Sequence, residues 1–226
     1  MVPKTHHAPD KQRGGFSLIE LLIVFALVGI ATAFALPQLV TQRRLMRSVG
    51  VTREMATELR YARQLAMSNR TAVTFSYDNS TKQITIINHN NLRTDPNSGK
   101  AVLTLAGYPN TAGSTVVATF LLSQGGLDSS EITYGMPSGL PSTALGALGD
   151  GVSMSALVSS KLNITFQRDG SVINSTGSAS DRNPQDNALF IYNNRAAYAT
   201  ASAISILGAS GRIKIWRYDN ATKYAE

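Results

Sequence analysis

The chain contains no cysteine and only three histidines among its 226 residues. Without cysteine it can form neither a disulfide framework nor a thiolate metal site. His6 and His7 lie near the N-terminus, and His89 is predicted to be an ordinary loop residue among asparagines. The Asp181–Asn187 segment offers oxygen ligands for calcium, but Asp and Asn are also common turn residues. No catalytic spacing stands out, so we predict no enzyme, no cofactor and no metal site.

Charged residues are few, 15% of the chain, and they are unevenly placed. The net charge of +7 could indicate a nucleic-acid partner, but residues 1–70 hold ten Lys or Arg against four Asp or Glu. Residues 71–226 hold the other eleven basic residues against ten acidic ones, a net charge of only +1. The basic character therefore surrounds an N-terminal hydrophobic segment, and the high pI is poor evidence for a DNA-binding domain.

The hydrophobic segment extends from Phe16 to Leu36 and contains a single charge, Glu20. As an α-helix it would be about 31 Å long, close to the hydrocarbon thickness of a bilayer. Three interpretations compete: a plain transmembrane anchor, a secretory signal peptide cut after Ala35, and a leader cut between Gly15 and Phe16 that leaves the segment on the mature protein. A carboxylate in such a helix is costly unless it is paired, which favours the third interpretation. Basic residues flank both ends of the segment, so they do not indicate its orientation.

A run of ten residues carries a family resemblance, namely Gly15-Phe16-Ser17-Leu18-Ile19-Glu20-Leu21-Leu22-Ile23-Val24. It resembles the processing signature of type IV pilins and type II secretion pseudopilins. The resemblance implies that prepilin peptidase cuts between Gly15 and Phe16 and then methylates the Phe16 amine. It implies that Glu20 pairs with the N-terminal amine of a neighbouring subunit. Gly29 and Pro37 match positions where such helices bend or melt locally during assembly.

This resemblance also implies a location and a set of partners. Residues 1–15 would be the leader, and residues 16–36 would hold the chain in the bacterial inner membrane, with its body in the periplasm. An inner-membrane assembly platform would then move it into a filament, either a type IV pilus or a type II secretion pseudopilus. The expected partners are other pilin or pseudopilin subunits, prepilin peptidase, the platform, and membrane lipid before assembly.

After residue 36 the hydrophobic pattern becomes amphipathic. Met55, Leu59, Ala62 and Ala66 recur at steps of four and three residues. This spacing predicts that residues 37–70 continue the helix and pack one stripe on a globular body. We expect the helix to end near Asn69, which makes one continuous helix of about 50 residues, unusual for a globular protein.

Residues 71–226 predict a β-rich domain, an antiparallel two-sheet sandwich, so the fold class is α+β. Asp78-Asn79-Ser80 and Asp169-Gly170 predict the turns of two hairpins, and residues 138–160 and 174–187 predict long loops. The predicted strands are Thr71–Tyr77, Gln83–Asn88, Lys100–Leu105, Thr115–Leu122, Glu131–Tyr134, Leu162–Gln167, Ser171–Ile173, Ala188–Tyr192, Tyr198–Ile206 and Arg212–Tyr218.

Three further stretches resemble the GspH/FimT group of minor pilins and pseudopilins. They are residues 58–66 at the predicted helix end, residues 164–171 at the second hairpin, and residues 211–215 near the C-terminus. The resemblance implies a long N-terminal helix packed against a small two-sheet β sandwich.

The last predicted strand offers a candidate binding surface. Period-two geometry separates two isoleucines from two cations and a tryptophan: Ile213 and Ile215 on one face, Arg212, Lys214 and Trp216 on the other. Cations beside an aromatic ring could hold a phosphate backbone and stack a base, and Arg217 follows directly. The segment resembles the Gly-Arg-x-Arg motif of FimT-type minor pilins that serve DNA uptake, with Lys214 in place of the second arginine. Binding of extracellular DNA is therefore the alternative function, and a solvated face or a subunit contact is the structural interpretation.

Overall fold

The computed structural model describes residues 16–90, 107–122, 129–138, 140, 152–174, 184–218 and 224–225. The chain divides into two compact units, Met1–Gln42 and Arg43–Glu226. The predicted strand Lys100–Leu105 and most of the two predicted loops, residues 138–160 and 174–187, lie outside the described residues.

The longest element is the helix α1, Leu18–Asn69, which includes Pro37. Its part in the N-terminal unit exposes large apolar side chains all round, among them Leu18 at 82% and Phe34 at 73%. The helix ends at Asn69, where the sequence predicted its end, and Arg70 follows with a positive φ of 55°. The single continuous helix is thus confirmed.

In the second unit α1 buries one stripe. Met55, Leu59, Ala62 and Ala66 are each 0% exposed, as their spacing predicted. They belong to one hydrophobic core with alternate residues from two β-sheets, such as Phe75 of the first sheet. Burial of this stripe supplies the main favourable free energy for holding this part of α1 on the sheets.

The body contains two antiparallel five-stranded sheets, as predicted for the α+β fold class. In the first sheet the spatial order is β3 (Thr115–Leu121), β2 (Gln83–Asn88), β1 (Val73–Asp78), β5 (Lys161–Phe166), β6 (Val172–Asn174). In the second it is β10 (Tyr224–Ala225), β9 (Arg212–Tyr218), β8 (Ser202–Leu207), β7 (Asn187–Asn193), β4 (Ile132–Tyr134).

Side chains in register form the inner layers of both sheets. In the first sheet Phe75 pairs with Ile86 on one side and Ile164 on the other. In the second sheet Ile204 pairs with Leu189 and with Ile215. Because strand residues alternate between faces, these positions put β-branched and aromatic residues into the core shared with α1.

Both predicted hairpin turns are present and have the same local chemistry. Asp78 Oδ1 accepts a hydrogen bond from the Ser80 amide at 2.8 Å, between β1 and β2. Asp169 Oδ1 accepts one from the Ser171 amide at 2.9 Å, between β5 and β6, and Gly170 has a φ of +83°. Burial alone would raise the pKa of Asp78, but hydrogen bonds from the Ser80 hydroxyl and amide and the other nearby donors lower it overall. Hydrogen bonds from the Ser171 hydroxyl and amide lower the pKa of Asp169, and burial opposes this shift in part.

One strand prediction is wrong at its beginning. Residues 198–200 belong to a short helix, α2 (Ala197–Thr200), and β8 begins only at Ser202. Thr200 Oγ1 donates to the Ala196 carbonyl at 2.9 Å and accepts from the Asn193 amide at 2.8 Å. The alanines around Tyr198 have high helix propensity, and the Thr200 hydroxyl fixes the turn between β7 and β8. The short strand β10 was not predicted.

Arg63 of α1 connects the turns of both sheets. Its Nη2 donates to the Ser210 carbonyl at 3.0 Å, before β9, and its Nε donates to the Gly170 carbonyl at 3.4 Å, before β6. Gly211 has a φ of +61°, and a side chain there would collide with the Gly170 carbonyl oxygen and the Arg63 guanidinium. Gly211 is therefore required by close packing at this junction.

Candidate assembly helix and C-terminal strand

The described N-terminus begins at Phe16, which is 80% exposed, and Gly15 lies outside the described residues. Glu20 lies in the first turn of α1 and is exposed. A carboxylate in the first turn interacts favourably with the helix dipole, but this does not offset the cost of moving it into an apolar environment. The pairing of Glu20 with a cation from outside the chain stays a prediction.

Gly29 and Pro37 both lie inside α1 without interrupting it. A side chain added at Gly29 would meet no atom within 4 Å, so packing within the chain does not require glycine there. Proline at residue 37 removes one helical hydrogen-bond donor. Both positions weaken the helix locally, and their predicted role in bending during assembly stays a prediction.

α1 is long and apolar enough to cross a membrane, judged by length and composition. An 18-residue window has a mean hydropathy of 2.5, and none of that window is buried within the chain. A buried core helix of a soluble protein would instead show extensive burial. The apolar surface of this segment is thus left uncovered by the residues that the structure describes.

Residues of strand β9 alternate between the two faces of the sheet as predicted, but its tryptophan is buried. Ile213 and Ile215 pack against the main core, as expected. Trp216 is only 6% exposed and lies in a second hydrophobic cluster with Phe190, on the opposite side of the sheet. Its Nε1 donates to Ser205 Oγ at 2.8 Å. The proposed base-stacking role of Trp216 is therefore not supported, because the ring is already covered by protein.

The basic residues of β9 do not form one exposed face. The Lys214 ammonium lies 5.1 Å from the centroid of the Trp216 ring, a cation–π contact, and Arg212 lies on the same face. Arg217 is exposed but has the opposite parity, opposite Ser202 in the register with β8. The structure thus brings Arg212 and Lys214 together and separates Arg217 from them.

His89 lies in the loop directly after β2, as predicted, but it is buried there. It is 0% exposed, and its Nε2 is 2.7 Å from Thr74 Oγ1, which in turn is 2.7 Å from Thr165 Oγ1. The Tyr108 hydroxyl is 2.6 Å from Thr165 Oγ1, and its ring stacks near the imidazole. Burial lowers the pKa of His89 to about 4, so the ring is neutral at pH 7.

This buried polar network was missed, although β1 contains a signal for it. Thr74 and Ser76 alternate with the core residues of β1, and Ser76 donates to Asn163 at 2.7 Å. An alternation of hydroxyl and apolar side chains is ordinarily read as a solvated outer face. Here residues after the strand, including His89 and Tyr108, extend the hydrogen bonds of that face, although His89 Nδ1 is buried without a partner among the described residues.

The candidate calcium loop is only partly described, because residues 181–183 lie outside the described residues. Asp186 Oδ1 accepts a hydrogen bond from the Gly208 amide at 2.7 Å, and Asn187 Oδ1 accepts one from Ser155 Oγ at 3.0 Å. Both side chains therefore have structural roles. Among the residues that the structure describes, no group of three His, Cys, Asp or Glu side chains is arranged to hold a metal ion.

Residues 10–36 match the family model described as the prokaryotic N-terminal methylation motif. No curated protein sequence matches the chain. Two crystal structures of the type IV minor pilin FimU from Pseudomonas aeruginosa strain PAO1 are similar to it at 16% identity, over 74% of this chain. The form in space group P21 has a TM-score of 0.41 with 85% of that chain covered, and the form in P65 has 0.40 with 90% covered.

The motif spans the predicted cleavage position, Glu20 and the apolar segment up to Leu36. The motif, together with the apolar helix, is consistent with membrane anchoring. The chain therefore carries a prokaryotic N-terminal methylation motif at the position where its sequence resembles the signature of type IV pilins and pseudopilins.

Proposed function

We propose that this chain is a structural, non-enzymatic subunit of a type IV pilus or a type II secretion pseudopilus. The observation that carries the proposal is the methylation motif at residues 10–36, which coincides with a helix whose apolar side chains are exposed all round. A helix of this kind is stable in lipid or among other helices of the same kind, and not in water.

The proposed maturation begins with cleavage by prepilin peptidase between Gly15 and Phe16, followed by methylation of the new amine. Glu20 then pairs with the amine of a neighbouring subunit. Removing a carboxylate from water costs several kcal/mol, and an ammonium partner at hydrogen-bond distance offsets much of that cost. Pairing of this kind selects neighbours that have been cleaved, because an uncut leader has no amine at this position.

The apolar surface has two environments in this proposal. Before assembly it lies in the inner membrane, with the body in the periplasm, and afterwards it lies among the helices of other subunits. Since burial of the surface is favourable in both, the transfer has little hydrophobic driving force of its own. An inner-membrane assembly platform must therefore supply the work. A minor role, in the GspH/FimT group, is the specific assignment that we propose from the sequence resemblance.

Mass spectrometry of the mature N-terminus tests the proposal. A chain that begins with methylated Phe16 supports it. A chain that begins at Leu36 would show that the apolar segment is a signal peptide, and an intact Met1 would show a plain anchor. Replacement of Gly15 with a bulkier residue, Gly15→Val, should abolish cleavage without lowering the amount of chain in the membrane.

The role of Glu20 has its own test. Glu20→Gln keeps the size of the side chain and removes its charge, which leaves the amine of the neighbouring subunit buried without a partner. Incorporation into filaments should therefore fall at least about tenfold. The amount of the variant in the membrane should stay the same or rise. Glu20→Asp, which retains a carboxylate, is the matched control. Normal incorporation of Glu20→Gln would contradict the pairing mechanism.

DNA binding through β9 is a second candidate, favoured by one observation: Arg212 and Arg217 are exposed. Salt-dependent binding of DNA by the full chain in detergent should weaken in Arg212→Ala and Lys214→Ala variants. Arg60→Ala, which removes an exposed cation from α1, is the control. Absence of binding at low salt would exclude this function, and Trp216→Phe should leave any binding unchanged.

A further inference from the structure

Residues 107–114, directly before β3, lie as a strap against the first sheet. The Tyr108 hydroxyl is 2.6 Å from Thr165 Oγ1 of β5, and the Gly113 carbonyl accepts a hydrogen bond from Asn90 Nδ2 at 2.7 Å. Tyr108 is the only aromatic or long aliphatic side chain in the strap, and it is half-buried. Hydrogen bonds and one aromatic ring therefore hold the strap, with little apolar burial.

The imidazole of His89 stacks near the Tyr108 ring. The two ring centroids are 6.1 Å apart, and the ring planes are inclined by 20°. His89 Nε2 is 2.7 Å from Thr74 Oγ1, which is 2.7 Å from Thr165 Oγ1. Since the Tyr108 hydroxyl is also bonded to Thr165, one connected set of hydrogen bonds joins the histidine to the strap.

Two polar atoms, one in the strap and one in the histidine, are buried without a hydrogen-bond partner among the described residues. They are Thr111 Oγ1 and His89 Nδ1, in residues that are 4% and 0% exposed. A buried polar atom without a partner typically costs about 1–3 kcal/mol. The strap is therefore held less firmly than the core, where apolar residues from α1 and both sheets pack together.

A proton on His89 Nδ1 is incompatible with the closed strap. Because Nδ1 has no acceptor, the imidazolium would be a buried charge with an unsatisfied donor. Burial lowers the pKa of His89 to about 4, and an open strap would restore its ordinary value of 6.5. Of the described residues in this set of hydrogen bonds, Tyr108 is the other titratable one, and burial raises its pKa to about 12, so it stays neutral.

We propose that the strap is released by acid: protonation of His89 frees residues 107–114 from the first sheet while the rest of the body stays folded. Opening would expose the hydroxyls of Thr74 and Thr165, so the uncovered face is polar and able to form hydrogen bonds. Local opening of this kind requires few buried apolar contacts, which the composition of the strap provides. The inference does not depend on assembly into a filament.

Thiol labelling measures the opening because the chain contains no cysteine of its own. Thr111→Cys places one thiol at the buried position of the strap and removes no side-chain hydrogen bond. The full-length chain in detergent is treated with dithiodipyridine, which reacts with thiols in acid. The rate is divided by that of Ala112→Cys, an exposed neighbour, to cancel the effect of pH on the thiol itself. The normalised rate should rise about twentyfold from pH 7 to pH 5, the change that follows from the two pKa values of His89.

Two variants, each combined with Thr111→Cys, separate release by acid from simple loosening. His89→Gln retains a side-chain amide that can donate to Thr74 but cannot be protonated, so its normalised rate should be equal at pH 7 and pH 5. Tyr108→Phe removes the bond to Thr165 and should raise the rate at both pH values. Because its histidine still titrates, the ratio between the two pH values should remain at least about tenfold.

Unfolding of the whole body is measured separately. Ala203→Cys places a thiol at a position that is 0% exposed in the second hydrophobic cluster, and it should stay unlabelled at pH 5. Hydrogen exchange of residues 107–114 and of β8 in the unmodified chain gives the same comparison without a substitution. Exchange should become faster in the strap alone, after correction for the intrinsic effect of pH.

A normalised rate that is independent of pH, or a rise that persists in His89→Gln, would overturn the proposal. Equal rises at Thr111→Cys and Ala203→Cys would show that acid opens the whole body, which would overturn it as well. None of these outcomes bears on the filament subunit, which the mature N-terminus tests.

Discussion

The two parts of α1 differ in how they use apolar residues. From Phe16 to Val40 large apolar side chains are exposed on all sides, whereas from Val51 to Ala66 they form one buried stripe. The second part therefore stabilises the fold, whereas the first part, in the function that we propose, stabilises contacts outside the chain. A substitution should consequently affect either assembly or folding, according to which part it falls in.

Truncation of one leucine in each part of α1 tests this difference directly. Leu59→Ala removes a side chain that is 0% exposed and should lower the free energy of unfolding of the body by about 3 kcal/mol. Leu22→Ala removes one that is 61% exposed and should leave that free energy unchanged. The fluorescence of Trp216, the only tryptophan, reports unfolding of the body in detergent. A loss of similar size in both variants would contradict the division of roles.

The pH dependence of stability also distinguishes the two parts, because the buried His89 belongs to the body and not to the N-terminal part of α1. Its folded pKa of about 4 is below its ordinary value of 6.5, so the unfolded chain binds the proton more readily. The stability contributed by neutral His89 is complete above pH 6.5 and is lost as the pH falls towards 4, by up to about 3 kcal/mol.

His89→Gln should remove this part of the pH dependence. Glu54 and Glu58, whose pKa values are raised, act in the opposite direction, since the folded state binds their protons more readily. They are present in both proteins, so the difference between wild type and His89→Gln at pH 7 and pH 4.5 isolates the histidine. Parallel pH profiles would contradict its burial.

Alanine substitutions at two glycines should have the smallest effects on the stability of the body, and one substitution is the control for the other. Gly211→Ala should cost about 2 kcal/mol, because Gly211 has a positive φ and a side chain there would collide with Gly170 and Arg63. Gly50→Ala, in a helical position with open space, should stabilise the body by about 0.5–1 kcal/mol. Chemical denaturation followed by Trp216 fluorescence would show the opposite signs. Equal effects would mean that the Gly211 junction tolerates a side chain.

Much of the fold could be predicted because local patterns decide it. The end of α1 at Asn69 follows from the transition to β-branched residues, and both hairpins follow from aspartates that bond the amides two residues later. The buried stripe of α1 also follows from the spacing of its apolar residues alone. By contrast, α2 replaced the beginning of a predicted strand because side-chain bonds of Thr200 and local alanines outweigh the β pattern.

The candidate site was harder to predict, because burial depends on what covers a face. Trp216 has the parity of Arg212 and Lys214, which indicated an exposed face, yet Ala188, Phe190 and Ala203 pack with it. Apolar residues on both faces of β7 and β8 were the available signal that the outer face is covered. The partner that we propose for Glu20 belongs to another molecule, so the sequence of one chain cannot locate it.

The hydrogen bonds of Arg63 have a mechanical consequence if the chain is drawn out of a membrane, as we propose. Part of a load applied along the helix would pass through the guanidinium and divide between the carbonyls of Ser210 and Gly170, which lie in one turn of each sheet. The tension would then act on both sheets, and within each sheet the hydrogen bonds between neighbouring strands would share it. Extraction would thus displace the body as a whole instead of unravelling it from the end of the helix.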